Sequence, residues 1–197
     1  MPTNIKPVYY AEIDGHFVFA SEIKSILAFP GYERKVNQKA LEQYLSFQYS
    51  PLEETFFKGI YKLMPGHMLL YKNGSYEIKT YFKPKLTPGQ WNHKTNMAQL
   101  RSQLSEILKD SVKHHMLSDV EVGAFLSGGV DSGYLASSSG ADQAFTVGFD
   151  EGDRYSEVNK AAKVAEKAGL KHHVKIISKQ EFWDALPDVM YHMDEPL

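Results

Sequence analysis

The stretch EVGAFLSGGVDSGYLASSS, Glu121 to Ser139, decides the fold. An apolar run closes on Ser-Gly-Gly, an Asp-Ser pair follows, and small residues take over. The pattern predicts a strand at 120–126, a glycine loop, and a helix opening at about Asp131 or Ser132. Downstream the alternation continues, with an apolar strand at 144–149, a helix at 156–168, a strand at 172–177 and a helix from 179. Strands alternating with helices of this length predict right-handed βαβ units and a parallel sheet. Gly169 falls where a helix end favours positive φ. Ser178-Lys179-Gln180-Glu181 reads as a capping box. Upstream, Met97, Leu100, Leu104, Ile107, Leu108 and Val112 recur at steps of three and four, which predicts an amphipathic helix.

Residues 5–82 read differently. Phe17 and Phe19 alternate with smaller residues, as in a half-buried strand. Ser21 is placed as the cap of a short helix carrying Ile23, Ile26 and Leu27, and Asn37 as the cap of a second carrying Leu41, Tyr44 and Leu45. Pro65-Gly66 is a turn, His67 to Tyr71 a strand, Asn73-Gly74 a hairpin signal, and Tyr76 to Phe82 the return strand. This half is α+β and mostly antiparallel. The run 83–95, with two prolines, one glycine and little periodicity, reads as an inter-domain linker, with Trp91 packing against a flanking domain. The expected organisation is therefore a domain at 1–82, a linker at 83–95 and a second domain at 96–197.

Composition narrows the function. The 197 residues are 43% apolar, enough to bury a core. With 22 basic and 24 acidic residues, the chain is not a nucleic-acid binder that works through a basic face. No window approaches the ~18 consecutive apolar residues of a membrane span. No basic-then-apolar leader precedes the first charges, which sets the expectation of a cytoplasmic protein. Cysteine is absent, so disulfides, thiolate metal sites and cysteine nucleophiles are excluded.

The glycine loop carries the chemistry. In a parallel sheet, ligands bind beyond the carboxyl ends of the strands, and Ser127 to Ser132 occupy such an end. Gly128 and Gly129 let backbone N–H groups approach an anion. The following helix supplies free N–H groups and the positive end of its dipole. Ser127 and Ser132 add hydroxyls. Together these suit a phosphate or pyrophosphate. Asp131 would repel that anion unless a cation lay between them, so it reads as a Mg²⁺ contact or as a cap for the helix's own N–H groups. Gly133, Ala136, Ser137 and Ser138 would let the helix pack close to the sheet. The loop is not a Walker A sequence, because no lysine occurs between Phe125 and Ser139. The plain alternative is a tight strand-to-helix turn that uses glycine for geometry alone.

These residues carry a resemblance. SGGVDS looks like the pyrophosphate loop of the N-type ATP pyrophosphatases, and the chain resembles glutamine-dependent asparagine synthetase. IKPVYY (5–10), FVFASEIKSIL (17–27) and LMPGHMLLY (63–71) are similar to the end of that family's glutaminase domain. LSDVEVGAFLSGGVDS (117–132), FTVGFD (145–150) and GLKHHVKI (169–176) are similar to the opening of its synthetase domain, in order and in rough spacing. The resemblance implies an α/β protein: the α+β, mostly antiparallel end of an N-terminal-nucleophile glutaminase domain, then a partial parallel-sheet ATP-pyrophosphatase domain of the adenine nucleotide α-hydrolase-like kind. It implies aspartate, ATP and glutamine or ammonia as substrates, Mg²⁺ as cofactor, and no nucleic-acid or membrane partner. Carried over by position, Ser127, Gly128, Gly129, Asp131 and Ser132 would hold pyrophosphate. Leu126 and Val147 would contact the adenosine. Gly148 and Asp150 would border the nucleotide, although an ordinary loop acid is the plainer reading of Asp150. Asp194-Glu195 could reach the active site.

The histidine pairs invite a bland reading. Adjacent strand residues face opposite ways, so His172 and His173 cannot easily share one ion. His114-His115 at a helix end complements the helix dipole.

The family's glutaminase needs a cysteine as its first mature residue, and this chain has none. The acid-and-glycine motif that completes the family's ATP and aspartate site also does not appear. The reading therefore expects an internal fragment of a longer enzyme, inactive by itself, whose partial parallel sheet leaves an apolar face and an open edge that favour a homodimer or poor solubility unless something covers them. Two other readings stay open: a related adenylating enzyme such as a β-lactam synthetase-like protein, or a degenerate remnant that binds nucleotide without turnover.

Overall fold

A computed structural model of the chain describes residues 6–85, 96–150 and 157–195. The expected linker beyond residue 85, the packing of Trp91 and the start of the 156–168 helix lie outside these residues. The elements in chain order are β1 (Tyr9–Ile13), β2 (His16–Ala20), α1 (Ile23–Leu27), α2 (Gln38–Phe47), β3 (Ile60–Lys62), β4 (His67–Lys72), β5 (Ser75–Thr80), α3 (Met97–His115), β6 (Gly123–Phe125), α4 (Val130–Ser139), β7 (Gln143–Phe149), α5 (Val158–Ala168), β8 (Lys171–Ile177) and α6 (Lys179–Met193). The chain divides into two compact units, Met1–Thr87 with Leu186–Leu197, and Pro88–Ala185.

The first unit holds an antiparallel sheet in the order β2-β1-β3 and the separate hairpin β4-β5. Asp14 and Gly15 both take positive φ, 47° and 77°, which gives the β1-β2 hairpin a turn matched to strand twist. One face of the sheet packs Tyr9, Ala11, Ile13 and Ile60 against Ile23 and Ile26 of α1. Tyr10 and Phe17 face the other way and meet the β4-β5 hairpin, with Phe17 stacked 4.7 Å from Tyr71 and Tyr10 5.6 Å from Tyr76. Asn37 caps α2 by accepting from the Lys39 N–H.

Ser21 does not cap α1. The N-cap is Glu22, and its side chain makes no capping bond. Asp194 does the work instead. Its carboxylate accepts from the N–H groups of Ile23 at 2.8 Å and Lys24 at 3.2 Å, and lies 3.6 Å from the Lys24 ammonium. Beside it, Glu195 pairs with Lys62 at 3.5 Å. The two acids that could have reached an active site are thus engaged within the first unit. Burial, then Glu195 and Asp194, push the Tyr9 phenol up to about 12.

The second unit holds three parallel strands in the order β6-β7-β8. On β7 burial alternates strictly. Ala144, Thr146 and Gly148 are buried, while Phe145, Val147 and Phe149 are exposed. The small residues face α4 and α5 and build a core of Leu126, Ala136, Ala144, Ala161 and Ala165. The large residues line the opposite face, where Phe125 is 86% exposed. The capping box forms as its sequence requires: the Ser178 N–H donates to Glu181 and the Glu181 N–H donates to the Ser178 hydroxyl. Gly169 ends α5 at φ 69°.

The two elements flanking the glycine loop differ from the sequence reading. β6 covers only Gly123–Phe125, because it is an edge strand paired with β7 alone and Val120 is 77% exposed. α4 begins at Val130, because Gly129 is extended and its carbonyl already accepts the Gly133 N–H at 3.0 Å.

Candidate phosphate-binding loop

The loop between β6 and α4 starts from a fixed point. The Leu126 N–H donates to the Phe145 carbonyl at 2.9 Å, and the Leu126 side chain is 2% exposed in the core. The Thr146 hydroxyl donates to the Leu126 carbonyl at 2.6 Å and lies 2.7 Å from His172 Nε2. Since that hydroxyl proton goes to the carbonyl, the imidazole Nε2–H must donate to the Thr146 oxygen. His172 therefore braces the strand end from which the loop departs. His173 points to the opposite face, stacks on Phe145 at 4.9 Å and lies 3.0 Å from Gln143. The two imidazoles share no site.

Beyond Leu126 the backbone turns at Gly128, with φ 76°. A methyl group there would lie 2.7 Å from Lys160 Cβ and 3.0 Å from the Ala161 nitrogen, so the turn rests on the first turn of α5 and admits no side chain. The two serines close a ring across the loop. The Ser127 N–H donates to Ser132 Oγ at 3.2 Å, the two hydroxyl oxygens are 2.8 Å apart, Ser132 Oγ donates to the Gly129 carbonyl at 3.3 Å, and the Gly129 N–H reaches Ser127 Oγ at 3.4 Å. The serine hydroxyls hold the loop's own shape. Among the described residues, the N–H groups of Gly128, Val130, Asp131 and Ser132 donate to no protein acceptor. They lie at the carboxyl end of a parallel strand and at the positive end of α4, where an anion is favoured.

Asp131 lies in the first turn of α4 and is exposed. It makes no capping bond, and Gly129 is the N-cap, so the helix-cap reading of Asp131 does not hold. No group of three or more His, Asp or Glu side chains that could hold a metal occurs among the described residues. Mg²⁺ typically takes one or two carboxylates and fills its shell with phosphate oxygens and water, so a lone carboxylate beside free backbone amides would fit that ion together with a phosphate. Asp131 also borders a groove of about 490 Å³ between α3 and α4, lined by Arg101, Leu104 and Leu108 on one side and Val130 and Tyr134 on the other.

The structure brings Ser127, Gly128, Gly129, Asp131 and Ser132 together. It does not gather on one wall the residues that the resemblance implies at the nucleoside. Leu126 and Gly148 face the helices and are buried, while Val147 lies on the far face of the sheet, 54% exposed. Asp150 is exposed at the carboxyl end of β7, and its N–H donates to the Ile177 carbonyl at 3.3 Å. The helical end at His114 and His115 is local too, since each ring Nδ1 lies 2.8 Å from a carbonyl one turn back. Sequence reasoning missed Thr146 and Lys160. Thr146 was legible only as the polar residue among the buried positions of β7, and Lys160 only as a cation in the first turn of a helix.

Comparison with known proteins gives two family models. Residues 3–82 match the glutamine amidotransferase domain and residues 103–197 match asparagine synthase. The chain is 36% identical over 201 residues to glutamine-hydrolysing asparagine synthetase 1 of Bacillus subtilis, covering all of this chain and 31% of that protein. It is 26% identical to asparagine synthetase 3 of the same organism, covering 98% of this chain and 34% of that protein. The chain thus spans about a third of the length of these relatives. An NH3-dependent NAD synthetase from Campylobacter jejuni is similar in structure at 19% identity over 48% of this chain and 42% of that one, with a TM-score of 0.31.

Proposed function

We infer that the chain, which matches the glutamine amidotransferase and asparagine synthase models in turn, is part of a glutamine-hydrolysing asparagine synthetase, and that its 127–132 loop cradles the pyrophosphate that leaves ATP when a substrate carboxylate is adenylated. In the parent reaction an aspartate carboxylate oxygen attacks the α-phosphorus and pyrophosphate departs. Ammonia then attacks the acyl carbon and displaces AMP, leaving asparagine. The observation that carries the reading is the set of unpartnered N–H groups at Gly128, Val130, Asp131 and Ser132.

Those groups are fixed before any ligand arrives, because the serine ring and the Gly128 turn hold the backbone. Preorganised donors stabilise the charge that builds on the leaving group without reorganising during the reaction. The α4 dipole acts in the same sense. Asp131 would hold Mg²⁺, which when bound supplies charge neutralisation of the diphosphate. Of the residues that the resemblance implies at the nucleoside, Val147 would offer it an exposed side chain, whereas Leu126 and Gly148 are buried toward the helices.

In this reading 1–82 is the end of a glutaminase domain of the N-terminal-nucleophile class, and 96–197 is the opening of an ATP-pyrophosphatase domain. The partners are small molecules, and the setting is the cytoplasm. The uncovered face bearing Phe125, Phe145 and Val147 is the surface a second copy would bury, so sedimentation should show association that rises with concentration.

The direct test is a titration of the chain with inorganic pyrophosphate and Mg²⁺, followed by amide resonances. The Gly128, Val130, Asp131 and Ser132 resonances should move and saturate together, and those of Ser127 and Gly129 should move less. Saturating pyrophosphate that leaves the four amides unmoved would refute the assignment.

A further inference from the structure

We propose that Lys160 supplies the cationic contact to the terminal phosphate of the polyphosphate held by the 127–132 loop. The inference rests on the reading above and adds a residue to it from outside the loop.

The loop brings no cation of its own, since neither lysine nor arginine occurs from Phe125 to Ser139. A phosphate loop of the Walker type carries a lysine within its own sequence, reaching the β- and γ-phosphates. Here the space over the Gly128 turn is closed by another element. A methyl placed on Gly128 would meet Lys160 Cβ at 2.7 Å and the Glu157 carbonyl at 3.2 Å. The stem of Lys160 thus starts directly against the residue whose amide is free.

Lys160 also breaks a local electrostatic rule. It occupies the third helical position of α5, after Val158 and Asn159, with Glu157 as N-cap. A cation in a first turn opposes the helix dipole, and carboxylates are preferred there. Glu157 makes no side-chain capping bond. The Lys160 side chain is exposed and, among the described residues, forms no ion pair with any carboxylate. The positive ends of α4 and α5, four free amides and the stem of a lysine with no ion pair therefore meet at Gly128, and among the described residues Asp131 and Glu157 are the acids beside them. A polyanion resolves that accumulation. Local rules broken without internal compensation are the mark of a functional position.

The test compares the wild-type chain with Lys160→Gln, Lys160→Arg and Lys163→Gln by calorimetric titration with magnesium pyrophosphate and, separately, with AMP. Lys163 lies one turn further along α5, is exposed, and changes net charge equally. Lys160→Gln should weaken pyrophosphate binding about tenfold, the loss of one charge-assisted hydrogen bond. Lys160→Arg should retain most of the affinity, and Lys163→Gln should stay within about twofold of wild type. AMP, which lacks the terminal phosphates, should bind all four proteins alike. Equal weakening by Lys160→Gln and Lys163→Gln, or no weakening by Lys160→Gln, overturns the role of Lys160 and leaves the loop assignment standing. A wild-type chain that takes up no pyrophosphate overturns both. Unchanged circular dichroism melts would verify that the surface variants fold.

Discussion

Replacing Thr146 by valine isolates the brace beneath the 127–132 loop. Valine matches threonine in shape and removes only the hydroxyl. That hydroxyl is 2.6 Å from the Leu126 carbonyl and 2.7 Å from His172 Nε2, at a residue 4% exposed. His172 is half-buried and can turn to water. Leu126 is 2% exposed, and its carbonyl cannot. An orphaned buried acceptor costs about 1–3 kcal/mol, and the added methyl recovers part of that, so a loss of about 2 kcal/mol is expected. With a urea m-value of about 2 kcal/mol/M, the midpoint of the second unit should fall by about 1 M. Thr146→Ser keeps the hydroxyl and loses a methyl, costing about 1 kcal/mol. The order wild type, serine, valine is the decisive outcome of urea titrations monitored by circular dichroism. A valine variant as stable as wild type, or a serine variant less stable than valine, would refute the brace. The valine variant should also weaken pyrophosphate binding, because the strand end that anchors Ser127 is freed.

Other consequences are open to measurement. Asp194→Ala should destabilise the first unit by about 1–2 kcal/mol in urea titrations, through loss of the α1 cap, while Asp194→Asn should recover much of it. The Glu181 carboxylate is held down to about 2 by the Ser178 N–H, then by Lys175 and the Ser178 hydroxyl. Its folded pKa is depressed, so its contribution is present above about pH 4.5 and lost as pH falls toward 2; amide exchange in the first turn of α6 should rise over that window and nowhere above it. Tyr9 and Tyr10 are both pushed up to about 12, chiefly by burial. Their folded values are raised, so their contribution is present below pH 10 and lost on the way to 12. Tyrosinate absorbance should show at least these two residues ionising late, and together with unfolding of the first unit.

What the sequence disclosed was whatever is fixed within a few residues. The Asn73-Gly74 hairpin, the Asn37 cap, the Ser178–Glu181 capping box and the α3 stripe all form where local chemistry requires them. The Asp14-Gly15 turn carried the same kind of signal, yet β1 and β3 went unread, β3 because three residues leave no periodicity to see. Ser21 looked like a cap because Asp194 is 171 residues from Ile23, and no local pattern reports such a distance. At the loop, the glycines and serines were legible. Their division of labour was not: whether a serine hydroxyl faces a ligand or its neighbour depends on the fold around it. The opposed directions of Leu126 and Val147 follow from register, which neighbouring letters do not specify. Lys160 reaches the loop only because α4 and α5 pack on one side of the sheet.

The remote cap on α1 has a bearing on how the chain is made. A ribosome delivers Ile23 171 residues and Lys24 170 residues before Asp194. Until then the start of α1 relies on water, and its five residues are too few to persist as a helix without packing. The first unit, although it emerges first, thus reaches its finished state only after the second unit has been translated. A stalled nascent chain ending anywhere before Asp194 should leave that helix easier for a protease to open than the released protein does.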